Sequence, residues 1–215
     1  MCSSDLARDH GVDAEQALRR TTSTFADRFE RFRDALAAPD GFATLVELVP
    51  WAGPLADAKA EKHLAMGREL TADPRIAGLT VTDNAGGHVR LSPLSLGRVL
   101  AEGGANVVAH VSCRDRSRGA LGTLAWDLAS AGMTDILALS GDYPADGYGG
   151  LSRPVFDVDS VALLAMLESM RSETLPFFAG AAINPYKRHE NELVPQLLKL
   201  AMKVRAGARF AITQV

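Results

Sequence analysis

The sequence predicts an α/β fold, a (β/α)8 TIM barrel truncated after its sixth strand. Three observations carry this. Short apolar runs alternate strictly with amphipathic segments of helical length. The runs are continuous and rich in Val, Ile, Leu and Ala, the composition of parallel strands buried on both faces. The runs also carry or close on polar residues, and in a barrel of parallel strands the carboxyl ends meet at the face where chemistry is done.

The elements follow in order. Residues 13–37 are charged and helical in period, so residues 1–40 read as a lead-in helix ahead of a single domain over residues 41–215. The first strand, Thr44–Pro50, carries Glu47, and Pro54 opens the helix Pro54–Glu69, since proline suits a first turn. The second strand, Ile76–Asp83, ends on Thr82-Asp83 and runs into a polar loop, Asn84-Ala85-Gly86-Gly87. Ser92-Pro93 supplies an N-cap and N1 pair for the helix Ser92–Glu102. The third strand, Asn106–Cys113, carries His110 and Cys113, and the helix Ser117–Ala131 stops at Gly132, a good C-cap. Asp135–Asp142 is the fourth strand, followed by the helix Asp157–Arg171. Phe177–Asn184 is the fifth, followed by the helix Glu190–Arg205 with Pro195 in its first turn, and Phe210–Gln214 is the sixth.

A closed barrel needs eight strands and about 250 residues. Six strands fit into this chain of 215 residues, so it reads as a fragment lacking two βα units. The rival, an open doubly wound sheet, wants G-x-G-x-x-G in the first βα turn; that turn reads Val-Pro-Trp-Ala-Gly-Pro over residues 49–54. No Walker A sequence is present either.

Composition excludes several partners. The chain is 47% hydrophobic and 23% charged with a net charge of −3, an ordinary globular profile that suggests no nucleic acid or anionic membrane as partner. No apolar run approaches the ~20 residues of a membrane helix. The start, MCSSDLARDH, lacks the basic and apolar regions of a signal peptide. Cys2 and Cys113 make no disulfide framework, and a cytoplasmic setting is expected.

Several side chains are suited to chemistry. Glu47 lies between Val46 and Leu48, where desolvation would keep a carboxyl protonated as a general acid; a strand-end carboxylate paired with Lys or Arg is the competing reading. Asp142 follows Gly141, which lets the backbone approach a ligand closely, and precedes Tyr143-Pro144. The loop from Thr82 to Gly87 could place N–H groups on a phosphate, or be simply a good loop. His110 and Cys113, three apart on a strand, point to opposite faces and make no metal pair, and Cys113 reads as a small buried hydrophobe. Arg114-Asp115-Arg116 reads as a solvated loop. Tyr186-Lys187-Arg188-His189 brings basic groups to the rim and Lys203 lies on the next helix, a pattern suited to a pyrophosphate or to plain surface charge. Gln214 ends a strand with an amide that needs partners.

Taken together these segments resemble the methylenetetrahydrofolate reductase family, flavin-dependent barrels of one-carbon metabolism. The resemblance rests on Val46-Glu47-Leu48-Val49-Pro50, on residues 80–87 (TVTDNAGG), on His110-Val111-Ser112-Cys113, on residues 139–144 (LSGDYP) and on residues 203–208 (KVRAGA) followed by Ile212-Thr213-Gln214. It implies FAD as cofactor, NAD(P)H or a reduced partner protein as electron donor, and reduction of 5,10-methylenetetrahydrofolate to 5-methyltetrahydrofolate. It implies Glu47 as the general acid, Asp142 as the charge near flavin and folate, and Gln214 as a folate contact. Thr82, His110, Gly141, Asp142 and Lys203 fall at FAD-contacting positions, with Ala85 and Asp157 as further contacts. A homo-oligomer or an electron-transfer partner subunit is also in keeping with the family.

The chain departs from the family's usual pattern at Leu48-Val49-Pro50-Trp51, at Asp83-Asn84, at Ser140 where an Arg often stands, and at Ile183-Asn184-Pro185-Tyr186. These departures bear on the dinucleotide pocket and the donor more than on the folate chemistry. Two other readings stay open: a folate-dependent methyl transfer enzyme without flavin, and a non-catalytic flavin- or folate-binding subunit.

Overall fold

The computed structural model describes residues 32–37, 43–143 and 153–213. The chain divides into two compact units, residues 1–43 and 44–215. Of the first, residues 32–37 are helical; the rest of the predicted lead-in helix lies outside the described residues.

Among the described residues of the second unit, β-strands and α-helices alternate. Its strands are β1 (Thr44–Leu48), β2 (Ile76–Val81), β3 (Val107–Ser112), β4 (Asp135–Leu139), β5 (Phe178–Ile183) and β6 (Phe210–Thr213). Its helices are α1 (Lys59–Ala72), α2 (Pro93–Glu102), α3 (Arg118–Ser130), α4 (Ser160–Met170) and α5 (Glu190–Arg205), with a short 3-10 turn at Ala85–Gly87. The six strands pair in sequence order, each parallel to the next. A curled half-barrel results, and its strand order is that of a (β/α)8 barrel.

Residue alternation sorts the two faces of the sheet. Leu79 and Val81, Val107, Ala109 and Val111, Ile136 and Ala138, and Ala179 and Ala181 join the helix-packed core with Leu96, Leu100, Leu121, Leu128 and Leu164. The residues between them face the other way. Register places Glu47 beside Thr80, Thr80 beside Val108, Val108 beside Asp135 and Asp135 beside Phe178, so these form one row on the concave face. In the next row His110 pairs with Leu137, Leu137 with Gly180, and Gly180 with Phe210. Gly180 is required there: a Cβ would lie 2.3 Å from the Phe210 ring, which stacks on Phe178 at 5.4 Å between centroids.

The helix caps explain where the helices start. Ser92 Oγ accepts from Ser95 N with Pro93 in the first turn, Ser117 Oγ accepts from Ala120 N, and Asp159 accepts from Val161 N and Ala162 N. Gly132, at φ +75°, follows the end of α3 as predicted.

Two boundaries differ from the sequence reading. Helix α1 begins at Lys59, not Pro54. The Pro54 carbonyl is taken by Asp57 N at 3.1 Å and by the Trp51 indole at 3.1 Å, which holds residues 51–57 in a turn, and Asp57 Oδ1 then accepts from Lys59 N at 2.9 Å. Pro195 lies inside α5, beyond its first turn, because His189 O already accepts from Glu192 N and Leu193 N and so starts the helix at Glu190.

Candidate active site at the strand carboxyl ends

Because all six strands are parallel, every polar strand end lies at one edge of the sheet. The loops after β2, β3 and β4 are bound there by charge. Asp83 follows β2, and its side chain is 1% exposed. It accepts from Ser112 N at 2.9 Å and from both terminal nitrogens of Arg116, Nη2 at 3.0 Å. The loop after β3 thereby locks onto the end of β2.

Arg114 forms a second hub. The residue is buried, and its guanidinium grips Asp115 with two bonds of 2.9 and 2.7 Å. The same group donates to Asn84 O at 2.9 Å and to Asp142 O at 3.3 Å. Asp115, held also by Asn84 Nδ2, sits below its ordinary carboxylate range, chiefly through the Arg114 hydrogen bond. The reading of Arg114-Asp115-Arg116 as a solvated loop is therefore overturned. Asp115 is exposed, but Arg114 is buried, and Arg114 and Arg116 reach partners about thirty residues away in sequence, which composition does not reveal.

Glu47 stands near the end of β1 on the concave face, as its alternation with Val46 and Leu48 requires, but it is exposed. The expected desolvation of its carboxyl is corrected: only Val46 and Leu48, on the other face, pack against the helix-covered core. Asp142 is exposed as well, just beyond β4, with its carbonyl on Arg114. Gly141 has φ +86°, and a Cβ there would lie 2.3 Å from Ser112 Oγ and 2.8 Å from Arg114 Cβ. The glycine lets the β4 loop close against the β3 end.

Thr82 is buried, and among the described residues its hydroxyl has no hydrogen-bond partner. His110 is buried on the concave face; burial pulls its imidazole down to about 4, with Asp83 opposing, so the ring is neutral at pH 7. Cys113 packs in the core on the opposite face, its thiol pushed up to about 11 mainly by burial. Lys203 reaches from α5 to donate to Ala182 O at 2.6 Å near the end of β5, and burial lowers its pKa.

Other expected contacts have structural duties. Asp157 Oδ2 accepts from Arg118 N at 2.7 Å at the start of α3. Ala85 opens the 3-10 turn after β2, which Asn84 starts in the left-handed region at φ 47°. Asn84 Oδ1 also accepts from Arg90 N at 3.0 Å, which ties the far end of that loop. Ser140, where the family often carries Arg, bonds Ser160 Oγ and Ser160 N at the head of α4. Lys187 and Arg188 are exposed, and Gln214 lies outside the described residues.

The family model for methylenetetrahydrofolate reductase matches residues 57–215, most of the barrel unit. The chain belongs to this family. Asp142, Thr82, His110 and Lys203 lie within the matched span, and Glu47 precedes it. Two curated relatives are similar to the chain. The 5,10-methylenetetrahydrofolate reductase of Pectobacterium carotovorum subsp. carotovorum is 27% identical over 141 residues, covering 66% of this chain and 44% of the relative. That of Salmonella typhimurium strain LT2 is 28% identical over 141 residues, with the same coverage. The aligned region thus spans less than half the length of these methylenetetrahydrofolate reductases. No helix among the described residues is long and apolar enough to cross a membrane.

Proposed function

We propose that this face works in the reduction of 5,10-methylenetetrahydrofolate to 5-methyltetrahydrofolate with FAD as cofactor. The observation that carries the proposal is Asp142, which lies inside the family-matched span and stands exposed at the carboxyl end of β4.

The residues present suit a bound flavin dinucleotide. The buried Thr82 hydroxyl has no partner among the described residues, so a ligand acceptor or donor would relieve it. The neutral His110 imidazole offers one donor and one acceptor without introducing charge. The buried Lys203 ammonium brings a cation to the β5 end, which favours a phosphate-bearing group. When bound, the flavin supplies the hydride that converts the methylene carbon to methyl, and NAD(P)H or a reduced partner protein restores its electrons.

The protein's own contributions are proton transfer and charge placement. Glu47, reachable from solvent, donates the proton that assists opening of the folate's five-membered ring, and its carboxylate regains a proton from water between turnovers. Asp142 holds a negative charge beside the reacting rings, steadied by the Arg114 contact to its carbonyl.

Replacing Glu47 with Gln tests the assignment. Folate turnover is expected to fall by about 10²-fold or more while flavin reduction by the donor stays near wild type. Equal loss in both half-reactions contradicts the role given to Glu47. A purified protein that binds folate without flavin and transfers its methyl group would favour methyl transfer instead.

A further inference from the structure

A cleft of about 470 Å³ opens between the loop after β1 and the loop after β2, lined by Ala52, Gly53, His88, Val89 and Arg90. Both loops lie at the carboxyl edge of the sheet, beside the strand end that carries Glu47. They are bound to each other. Arg90 Nη1 donates to Pro50 O at 3.1 Å, and Leu91 N donates to Trp51 O at 2.9 Å. Asn84 Oδ1 accepts from Arg90 N at 3.0 Å and fixes the second loop from within. Gly53, at φ +147°, keeps one wall bare: a Cβ there would lie 2.9 Å from Asp57 Oδ2 and 3.3 Å from the Trp51 indole.

Arg90 is half-buried, and its guanidinium is only partly used. Nη1 is spent on Pro50 O. Nε is buried with no hydrogen-bond partner, and Nη2 has none among the described residues. Other arginines of this protein show what that edge takes. Arg75, Arg114 and Arg171 each turn Nε and Nη2 onto one carboxylate, that of Asp73, Asp115 and Glu168. Such forks are the strong form of charge-assisted hydrogen bond. A buried N–H without an acceptor is a cost that a ligand oxygen would remove. The acids of the neighbouring loops are already taken, Asp83 by Arg116 and Asp115 by Arg114. Beside Arg90, Val89 is 54% exposed, and the exposed His88 adds an imidazole.

We infer that this cleft is an anion subsite for the glutamate tail of the folate, with one tail carboxylate on the Nε–Nη2 edge of Arg90. A folate is a flat body that ends in carboxylates. With the reacting end at Glu47, the tail leaves the concave face over a loop, and the loops after β1 and β2 adjoin that residue. The Arg90 fork matches a carboxylate in charge and shape, and Val89 gives apolar cover to the tail's methylene groups. The inference rests on the proposed folate reaction for the identity of its ligand, and names a contact which that reaction does not require.

The test is binding to the full chain, read by calorimetry. The tail probes are p-aminobenzoylglutamate and its triglutamate, which lack the pterin; pteroic acid lacks the tail, and ADP offers phosphate instead of carboxylate. Arg90→Gln keeps an N–H for Pro50 O and loses the fork. It is expected to weaken the tail probes by roughly ten- to hundredfold and to leave pteroic acid as in wild type. Val89→Asp, at an exposed site away from the Pro50 contact, sets a like charge beside the tail and is expected to weaken the tail probes by roughly three- to tenfold. Should Arg90→Gln fail to fold, the Val89→Asp result decides alone. Tail probes that do not bind wild type, or that bind the variants equally well, overturn the subsite whatever pteroic acid does. If ADP and not the tail probes loses affinity in Arg90→Gln, the cleft takes a phosphate and the tail assignment is overturned. If the tail probes depend on Arg90 while pteroic acid does not bind at all, the anion subsite stands and the folate reaction falls.

Discussion

Removing the two halves of the Asp83–Arg116 pair will not cost the same. The Asp83 side chain is 1% exposed and the Arg116 side chain 19%. In Arg116→Ala the carboxylate stays buried with Ser112 N as its remaining donor among the described residues. Breaking a buried pair in this way costs about 3–5 kcal/mol. In Asp83→Asn the shape is kept and the amide oxygen still accepts from Ser112 N. Arg116, already partly exposed, can turn toward water. The loss is then nearer that of a charge-assisted hydrogen bond, about 1.5–3 kcal/mol. Arg116→Ala should therefore be the more damaging by about 1–3 kcal/mol. The double variant should recover part of the Arg116→Ala loss, because it removes the stranded charge. Urea unfolding of the four proteins, with slopes compared to guard against a changed denatured state, measures this. An Asp83→Asn protein at least as destabilised as Arg116→Ala, or a double variant no better than Arg116→Ala, would refute the reasoning.

Three further outcomes follow from the same geometry. Gly141→Ala places a Cβ 2.3 Å from Ser112 Oγ at φ +86° and should lose about 1–3 kcal/mol, whereas Gly122→Ala, with open space on α3, should gain up to about 1 kcal/mol; urea midpoints compare them. Burial holds the folded His110 ring at about 4, below its usual 6.5, so this group's contribution to stability is full above pH 6.5 and is lost as pH falls toward 4. The slope from this group reaches about 1.4 kcal/mol per pH unit, and His110→Gln should flatten that part of the stability profile. The Cys113 thiol, at about 11 and buried, should resist alkylation at pH 8 until the protein unfolds, which mass spectrometry of the Cys113 peptide reads directly; labelling at the rate of a free thiol would contradict its placement.

The strands and the capped helices were legible because they rest on local signals. Continuous Val, Ile, Leu and Ala runs marked all six strands to within a few residues, and Ser92-Pro93 and Ser117 marked helix starts that the structure keeps. Pro54 misled because the Trp51 indole competes for its carbonyl, a contact that propensity does not register. Glu47 misled for a different reason. Apolar neighbours in sequence lie on the other face of a strand, so Val46 and Leu48 say little about what surrounds the residue between them. The largest omission was Arg114-Asp115-Arg116. A charged triplet looks solvated, and the partners that bind its two arginines, Asp83, Asn84 O and Asp142 O, come from neighbouring strand ends that only the folded sheet brings together. Strand-end position singled out the candidate site; the network that stiffens it is tertiary.

The most direct measurement is an anaerobic absorbance spectrum of the purified full chain. The account predicts a bound flavin spectrum that bleaches when 5-methyltetrahydrofolate is added and recovers with a folate acceptor. A protein that carries no flavin after reconstitution, or a bound flavin that 5-methyltetrahydrofolate leaves oxidised, would contradict it.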